Sequence, residues 1–597
     1  MAEPKKGFYI LLFSIHGLVR SHDFEMGRDA DTGGQVKYVV ELARNLARRP
    51  EVAQVDLFTR MIRDKNMSPD YSREIEAISD RARIVRIPCG GGRYIRKESL
   101  WPHLDEFVDK TLKFLKKQEL EPHVVHGHYA DGGYVGMNLA TLFGIPFIFT
   151  GHSLGLSKQR KLAEDGLSLE DINKKFNMRH RIEVEEKMLS FADLVITSTE
   201  QEIEKQYGLY KNRCLPRYIV NPPGLELDRF YPYYQDEIGK IKEEIDKQAM
   251  VTMQNELNRF FLARDKPLIL AMSRPDKRKN VSALIQAYGE SKDLQAMANL
   301  AILLGIRKDI QEMEENERSV LTETLLLMDK YDLYGKMAIP KKHDFTHEVP
   351  ELYRIAASHR GVFVNPALIE PFGITLLEAA ACGVPIVATD DGGPVDIIKN
   401  CDNGILVDVF KPENIALAIK QILVDEELWQ KFSMNGINNV RRHYSWDAHL
   451  DRYLLEIKKL GQASVKSTVA LGMDSPIAKR LIKLDKILVS DIDNTLTGDP
   501  EALQEFLRLL ERYRGTMGFG LATGRPIDSA MEFLVQNGIP DPDILISSVG
   551  TEIYYAGKAI QDLGWAAHIR QKWDRRKIVS LLAELPFLKP QEVDFVR

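Results

Sequence analysis

Residues 124–150 read VVHGHYADGGYVGMNLATLFGIPFIFT. An apolar run at Val124 to His126 is followed by a helical pattern over Asp131 to Phe143, then by a second apolar run over Pro146 to Thr150. Short buried runs on either side of a helix mark a parallel β-α-β unit. The same alternation extends upstream. Phe8 to Phe13 reads as a strand, and Gly33 to Arg48 as a glycine turn feeding a helix, with Val36, Val39, Val40, Ala43 and Leu46 at helical spacing. Val55 to Phe58 and Arg83 to Ile87 read as strands, and Leu100 to Lys117 as a helix. Downstream, a helix over Arg179 to Phe191 leads into a strand over Leu194 to Thr197. The pattern predicts an α/β fold, a parallel sheet with helices on both faces.

Asn221-Pro222-Pro223-Gly224 marks a boundary, followed by charged, helical-looking sequence from Asp236 to Phe261. A second alternating unit has strands at Pro267 to Ala271, Leu300 to Leu304, Val362 to Asn365 and Ile386 to Thr389. Its helices are Val281 to Tyr288 and Leu376 to Cys382, the latter closed by Gly383 with Pro385 beyond. Trp446 to Leu460 reads as a closing helix, and 461–485 as a linker of weak periodicity. A third unit opens with a strand at Lys486 to Ser490, then a helix near Ala502 to Tyr513, a strand near Gly518 to Ala522 and a helix near Ile527 to Gln536. The expected domains are 1–222, 223–445 with the 446–460 helix, and 486–597.

With 597 residues the chain suits two to four domains and needs no disulfide staple. Its net charge of -5 gives no argument for nucleic-acid binding. Cys89, Cys214, Cys382 and Cys401 form no C-x-x-C pair, which suits a reducing, cytoplasmic compartment. The basic Met1 to Lys6 precedes only six apolar residues, a strand rather than a signal helix. No run approaches the ~18 apolar residues that span a membrane, so no membrane partner is expected.

Five constellations carry chemistry. Glu370-Pro-Phe-Gly-Ile-Thr-Leu-Leu-Glu378 follows a strand and starts a helix. Gly373 permits close backbone approach, the helix N-terminus offers amides to an anion, and Glu378 can accept two hydroxyls of a ribose. Asp391-Gly392-Gly393-Pro394 is a second glycine turn after a strand. Arg274 and Lys277 to Lys279 follow the strand that ends at Ala271, a place where cations suit a diphosphate. Asp31-Thr32-Gly33-Gly34-Gln35 puts two glycines before a helix, without being the dinucleotide fingerprint. Thr150-Gly151-His152-Ser153 ends a strand, with Lys158, Arg160, Lys161, Arg179 and Arg181 downstream. Each of these four also fits a solvated loop or, for His152, a structural histidine. The fifth, Asp491-Ile492-Asp493-Asn494-Thr495, ends the third unit's first strand, and Thr523-Gly524-Arg525 follows the next. Aspartates at i and i+2 there suit phosphoryl transfer and magnesium.

These motifs, in this order, resemble the sucrose-phosphate synthase family. The resemblance rests on His16 to Arg20, Gly27 to Tyr38, Phe149 to Gly155 and Phe363 to Ala380, and covers roughly residues 8 to 460. Most of 486–597 resembles the front part of sucrose-phosphate phosphatase. The resemblance implies two facing Rossmann-like domains of GT-B type plus a partial C-terminal HAD-like α/β domain. The first would bind the acceptor and the second the nucleotide sugar. It implies transfer of glucose from UDP-glucose to fructose 6-phosphate with retention, giving sucrose 6-phosphate and UDP. ADP-glucose as donor stays open.

Residue by residue, Arg274 and Lys279 match the grip on the donor diphosphate, Glu378 the ribose glutamate, and Glu370 the glutamate facing the donor sugar. Gly33 and Gly34 match amides near the diphosphate and acceptor, and His152 the histidine on the donor glucose. Gln35, Lys97, Lys158, Arg179 and Arg181 match the acceptor site. This chain reads Arg179-His180-Arg181 where related chains have adjacent arginines. Cations on the departing diphosphate fit the chemistry, since removing such compensation costs about 10²-fold or more. The leaving group itself can act as base, so no glycosidase-like carboxylate pair is required.

No cofactor is expected for glucosyl transfer. Magnesium is expected only weakly, at Asp491 and Asp493, because the phosphatase family's later lysine and Gly-Asp-x-Gly-Asn-Asp motif are not placed before Arg597. The leading expectation is thus an active synthase with a vestigial phosphatase-like domain. The alternatives are a bifunctional synthase-phosphatase making free sucrose, a sucrose synthase using unphosphorylated fructose, and a C-terminal domain that only docks a separate sucrose-phosphate phosphatase. Lys97, Lys158 and Arg181 weigh against fructose as acceptor, because an uncharged sugar gives them nothing to hold.

Overall fold

Strands buried on both faces need helices on both faces, and the chain supplies them in alternation. The computed structural model describes residues 7–25, 31–118, 121–234, 244–307, 309–341, 344–470, 477, 480, 484, 486–555, 560–570, 575–583 and 585. Residues 27–30 of the first glycine motif and most of the expected linker from 471 lie outside these. The chain divides into two compact units, Met1–Phe147 with Gly461–Arg597, and Ile148–Leu460.

In the first unit, β1 (Phe8–Phe13), β2 (Val52–Arg60), β3 (Ile75–Ser79), β4 (Ala82–Ile87) and β5 (Val124–His128) stand in the order β3-β4-β2-β1-β5. All pairs are parallel except β3 against β4. Ile10 to Phe13 are fully buried. Helices α1 (Gly34–Leu46), α2 (Leu104–Gln118) and α3 (Tyr129–Phe143) belong to the same unit, and α1 buries Val36, Val39, Val40, Ala43 and Leu46 as their spacing predicts. The helix expected from Leu100 begins at Leu104 instead. Pro102 lacks an N–H and restricts Trp101, so 97–103 forms two 3₁₀ turns.

The second unit holds β6 (Phe147–Thr150), β7 (Leu194–Thr197) and β8 (Arg217–Val220), with helices α4 (Gly155–Glu164), α5 (Leu169–Phe176) and α6 (Met178–Phe191) packed together between β6 and β7 in sequence. It also holds an all-parallel six-stranded sheet. Its strands are β9 (Leu268–Ser273), β10 (Asn299–Leu304), β11 (Met337–Ala338), β12 (Val362–Asn365), β13 (Ile386–Thr389) and β14 (Gly404–Val407), in the order β11-β10-β9-β12-β13-β14. Alternate residues enter two separate cores: Leu268, Leu270 and Phe363 one, Ile269, Ala271 and Val364 the other. The closing helix runs Trp446–Ala470, ten residues past the expected end. No proline interrupts 461–470, and a single interior glycine, Gly461, does not stop a helix.

In the first unit's C-terminal part, β15 (Lys486–Ser490), β16 (Met517–Ala522), β17 (Ile544–Ser547), β18 (Glu552–Tyr555) and β19 (Ile560–Gln561) form a sheet in sequence order, parallel through β17 and antiparallel after it. Leu503 and Leu510 from one helix and Ala530 and Leu534 from the next join Phe519, Leu521 and Leu545 in its core. Among the described residues, no helix is long and apolar enough to cross a membrane.

Beyond β13, the Gly392-Gly393 turn lies against residues 370–372. A Cβ on Gly393 would stand 2.0 Å from the Phe372 carbonyl oxygen, whereas one on Gly461 would meet nothing within 4 Å. Gly393→Ala should therefore destabilise by about 3 kcal/mol, and Gly461→Ala should stabilise by about 0.5–1 kcal/mol. Urea denaturation of both variants checks this. Equal stabilities would contradict the close approach at Gly393 and the helix through Gly461.

Candidate active site

The six-stranded sheet sets its loops at the carboxyl ends of parallel strands, where open α/β folds bind ligands. Arg274 follows β9 directly and is exposed. Asp276 caps the Lys277–Lys279 turn by accepting the Arg278 amide at 2.9 Å, and the Arg278 side chain returns to it and holds its carboxyl down at about 2. Lys279 points the other way. Its Nζ lies 2.6 Å from Glu370 Oε2, which also accepts from Asn365 Nδ2 at 3.1 Å. Two residues singled out 91 positions apart are thus in direct contact.

The Glu370 main chain is fixed as firmly. It bridges to Gly392, and the Gly393 amide donates to its carbonyl at 2.8 Å. Gly392 and Gly373 both have φ of +92°, and Gly373 caps the Ile374–Ala381 helix. Glu378, on that helix, is 3 % exposed, and Tyr353 donates to its Oε2 at 3.0 Å. Burial, then the Glu378 charge, pushes the Tyr353 phenol far above its usual range. The carboxylate orientation is therefore set before any ribose arrives.

His152 is exposed at the end of β6, with φ of +54°. The Ser153 amide donates to the Gly151 carbonyl at 2.6 Å, closing a three-residue turn around it. A γ-turn with positive φ is rare and strained. Lys158, on α4, is half-buried, with its Nζ 4.4 Å from the centre of the Phe176 ring. The two arginines separate as their two-residue spacing requires. Arg179 is exposed on the first turn of α6, whereas Arg181 is 4 % exposed and ion-paired to Glu185 at 2.8 Å. The Arg181 guanidinium, matched above to the acceptor site, is held here by Glu185 and the Ser153 carbonyl.

In the first unit, Gly33 and Gly34 open α1, and a Cβ on either would meet nothing within 4 Å. Gln35 Nε2 donates to Ser14 Oγ at 3.1 Å. Lys97 Nζ lies 2.7 Å from Asp31 Oδ1, and Tyr94 donates to the other oxygen at 3.0 Å. Burial pushes the Asp31 carboxyl up, but Lys97 hydrogen bonds and charge, with His16, hold it below the usual carboxylate range.

At the end of β15, Asp491 Oδ1 accepts the Ile492 amide at 2.7 Å. Asp493 receives Arg525 on both oxygens, with Nε at 3.0 Å from Oδ2. Thr523 is buried and its Oγ1 accepts the Arg525 amide at 3.2 Å. Among the described residues no group of three His, Cys, Asp or Glu side chains could hold a metal ion. Of the two aspartates expected to hold magnesium weakly, Asp493 is ion-paired to Arg525.

Three stretches match family models: 4–225, sucrose synthase first GT-B domain; 253–439, glycosyl transferases group 1; and 484–594, sucrose-6F-phosphate phosphohydrolase. Sucrose-phosphate synthase 4 of Arabidopsis thaliana is 36% identical over 710 residues, covering 99% of this chain and 67% of that protein. The chain belongs to the sucrose-phosphate synthase family. Sucrose-phosphate synthase from Zea mays is 43% identical over 507 residues, covering 76% of this chain and 47% of its own length. The match thus spans two thirds of one plant family member and under half of another. The solved sucrose-phosphate synthase from Thermosynechococcus elongatus superposes with a TM-score of 0.54 at 26% identity, covering 76% of this chain and all of that one. The fold is accordingly GT-B with a HAD-like C-terminal domain.

Several residues at these sites carried no local signal. Asn365 ends an apolar strand and Tyr353 lies on the amphipathic Glu348–Ser358 helix, and their roles arise only from where β12 and the Ile374–Ala381 helix lie. Asp31 stood inside the quoted glycine motif, but its partner is 66 residues away.

The Arg525 hydrogen bonds lower the Asp493 pKa. A depressed carboxylate contributes stability above its unfolded pKa and loses it as pH falls through the folded one. Arg525→Ala should raise the Asp493 pKa back toward the ordinary aspartate range, read by carbon-detected NMR titration. An unmoved titration would remove the pair.

Proposed function

We propose that this chain transfers glucose, with retention, from UDP-glucose to fructose 6-phosphate, releasing sucrose 6-phosphate and UDP. The observation that carries this reading is the Lys279–Glu370 contact beside exposed Arg274, at the carboxyl ends of β9 and β12. It is a charged cradle with one acidic and two basic groups, suited to a diphosphate and a sugar hydroxyl together.

In this reading Arg274 and Lys279 take the diphosphate, whose charge grows as the glucosyl bond breaks. Lys279 exchanges its Glu370 partner for phosphate oxygens, which leaves the carboxylate to accept a glucose hydroxyl. Glu378, oriented by Tyr353, accepts from the ribose. His152, raised on its strained turn, faces the donor glucose. The departing phosphate oxygen takes the acceptor proton, so the new bond forms on the face the leaving group vacates. Lys158 and Arg179 hold the acceptor phosphate within their unit, while Gly33, Gly34, Gln35 and Lys97 are assigned by family resemblance alone. No cofactor enters the transfer. In this reading the C-terminal domain releases no phosphate from the product. Four free thiols, three of them buried, suit a reducing cytoplasm.

The test is a product assay with UDP-glucose or ADP-glucose as donor and fructose or fructose 6-phosphate as acceptor, with released phosphate followed in parallel. Sucrose 6-phosphate from UDP-glucose without phosphate release is the expected result. Free sucrose made from fructose would overturn the reading in favour of a sucrose synthase, and phosphate release would show a working phosphatase.

The acceptor assignment gives a second expectation. Charge-assisted contacts are worth about 1.5–3 kcal/mol, so Lys158→Ala and Arg179→Ala should each raise KM for fructose 6-phosphate about 10- to 100-fold. KM for the nucleotide sugar should stay near wild type. Unchanged acceptor kinetics in both variants would remove these residues from the acceptor site.

A further inference from the structure

The turn that carries His152 and the start of α4 are gripped at four main-chain positions. The Gly151 amide donates to the Tyr207 hydroxyl at 3.0 Å. The Ser153 carbonyl accepts from the Arg181 guanidinium. The Gly155 amide donates to both Glu185 oxygens, the nearer at 2.9 Å. The Leu156 amide donates to the Tyr210 hydroxyl at 3.1 Å. The grips are joined to one another, since Arg181 Nε donates to Glu185 Oε1 at 2.8 Å and Tyr210 donates to Glu185 Oε2. Arg181, Glu185, Tyr207 and Tyr210 are all at most 4 % exposed.

Two of the four bonds satisfy the first amides of α4, at Gly155 and Leu156, and the other two fall on Gly151 and Ser153, on either side of His152. Every contact the network makes there lands on main chain between 151 and 156, the stretch that contains the positive-φ turn at His152. Strained turns persist only where the surroundings over-determine them. The glycines permit the approach: a Cβ on Gly151 would meet the Tyr207 hydroxyl at 2.7 Å, and one on Gly155 would meet Glu185 Oε2 at 2.7 Å.

We propose that Arg181, Glu185, Tyr207 and Tyr210 are positioning residues that clamp the 151–154 turn and the first residues of α4 and so keep His152 raised toward the donor sugar. Arg181 then acts through the loop rather than as a bare acceptor cation. The inference rests on the proposed transfer reaction for its kinetic consequence, but its structural half stands alone.

The test uses Tyr210→Phe and Tyr207→Phe, which keep the buried rings and lose only the hydroxyls, in the full chain. A misplacement of about 1 Å costs on the order of 10²-fold, so kcat for glucosyl transfer should fall about 10- to 100-fold with both KM values little changed. In a His152→Ala background the same substitutions should add no further loss. A merely structural role would instead give equal fold-losses in both backgrounds, and that result, or an unchanged kcat in both single variants, overturns the proposal. Amide hydrogen exchange is read alongside, without substrates. Exchange at Gly151 should accelerate in Tyr207→Phe, and at Gly155 and Leu156 in Tyr210→Phe, while α6 keeps its protection. Unaltered exchange over 151–156 overturns the clamp whatever the kinetics. A wild-type chain that transfers no glucose, or a His152→Ala variant with full kcat, tells against the proposed reaction instead, and the exchange result still decides the clamp.

Discussion

Glu370 is held by two independent sets of bonds, and the organisation of the candidate donor site depends on both. Its carbonyl is seized by the Gly393 amide at 2.8 Å, and its carboxylate by Lys279 and Asn365. The main-chain half works only because residues 392 and 393 carry no side chain, since a Cβ on either would lie about 2 Å from a carbonyl oxygen. The side-chain half gathers the ends of β9 and β12, and the main-chain half adds the 392–393 turn beyond β13. The pair is part-exposed, with Lys279 at 28% and Glu370 at 12%. An ion pair with one end open to solvent is worth only about 1 kcal/mol. An arriving diphosphate can therefore compete for the lysine, whereas the main-chain bracket stays in place.

Legibility in the sequence followed the range of the interactions. Strands β9, β12, β13 and β15 were readable to within two residues because each is a short apolar run bounded by turn residues. The edge strand β3 went unread, because only one of its five residues is buried and it shows no apolar run. The helix Trp446–Ala470 was cut short by a compositional change at Gly461 that a helix tolerates. At the sites, motif residues near glycine turns were found, since local backbone rules mark them. Their partners Asn365, Tyr353 and Glu185 were not, because only tertiary placement brings them there. Arg181 shows the same division: its place in the motif was marked locally, whereas its pairing with Glu185, one helical turn on, was read only from the structure.

The two glutamates of the donor cradle illustrate how environment separates identical side chains. Glu378 is buried and pre-oriented by a neutral phenol whose proton is locked in place. Glu370 is neutralised by a cation that can leave. A neutral donor preserves the negative charge needed to accept ribose hydroxyls, whereas a cationic partner stores a lysine beside the position of the leaving group.

Strand β15 has a consequence of a different kind. Among the described residues it is the edge strand of its sheet, and Ile487, Leu488 and Val489 are 43%, 36% and 47% exposed. An open edge lined with aliphatic side chains on both faces is a template for self-association of like strands. Lys486, at its start, is the single charged residue in the strand and serves as its gatekeeper. These five residues, distant in sequence from the donor loops, are thus one place where the protein can stick to itself at high concentration or on heating. Solubility can be engineered there without touching the residues of the donor cradle.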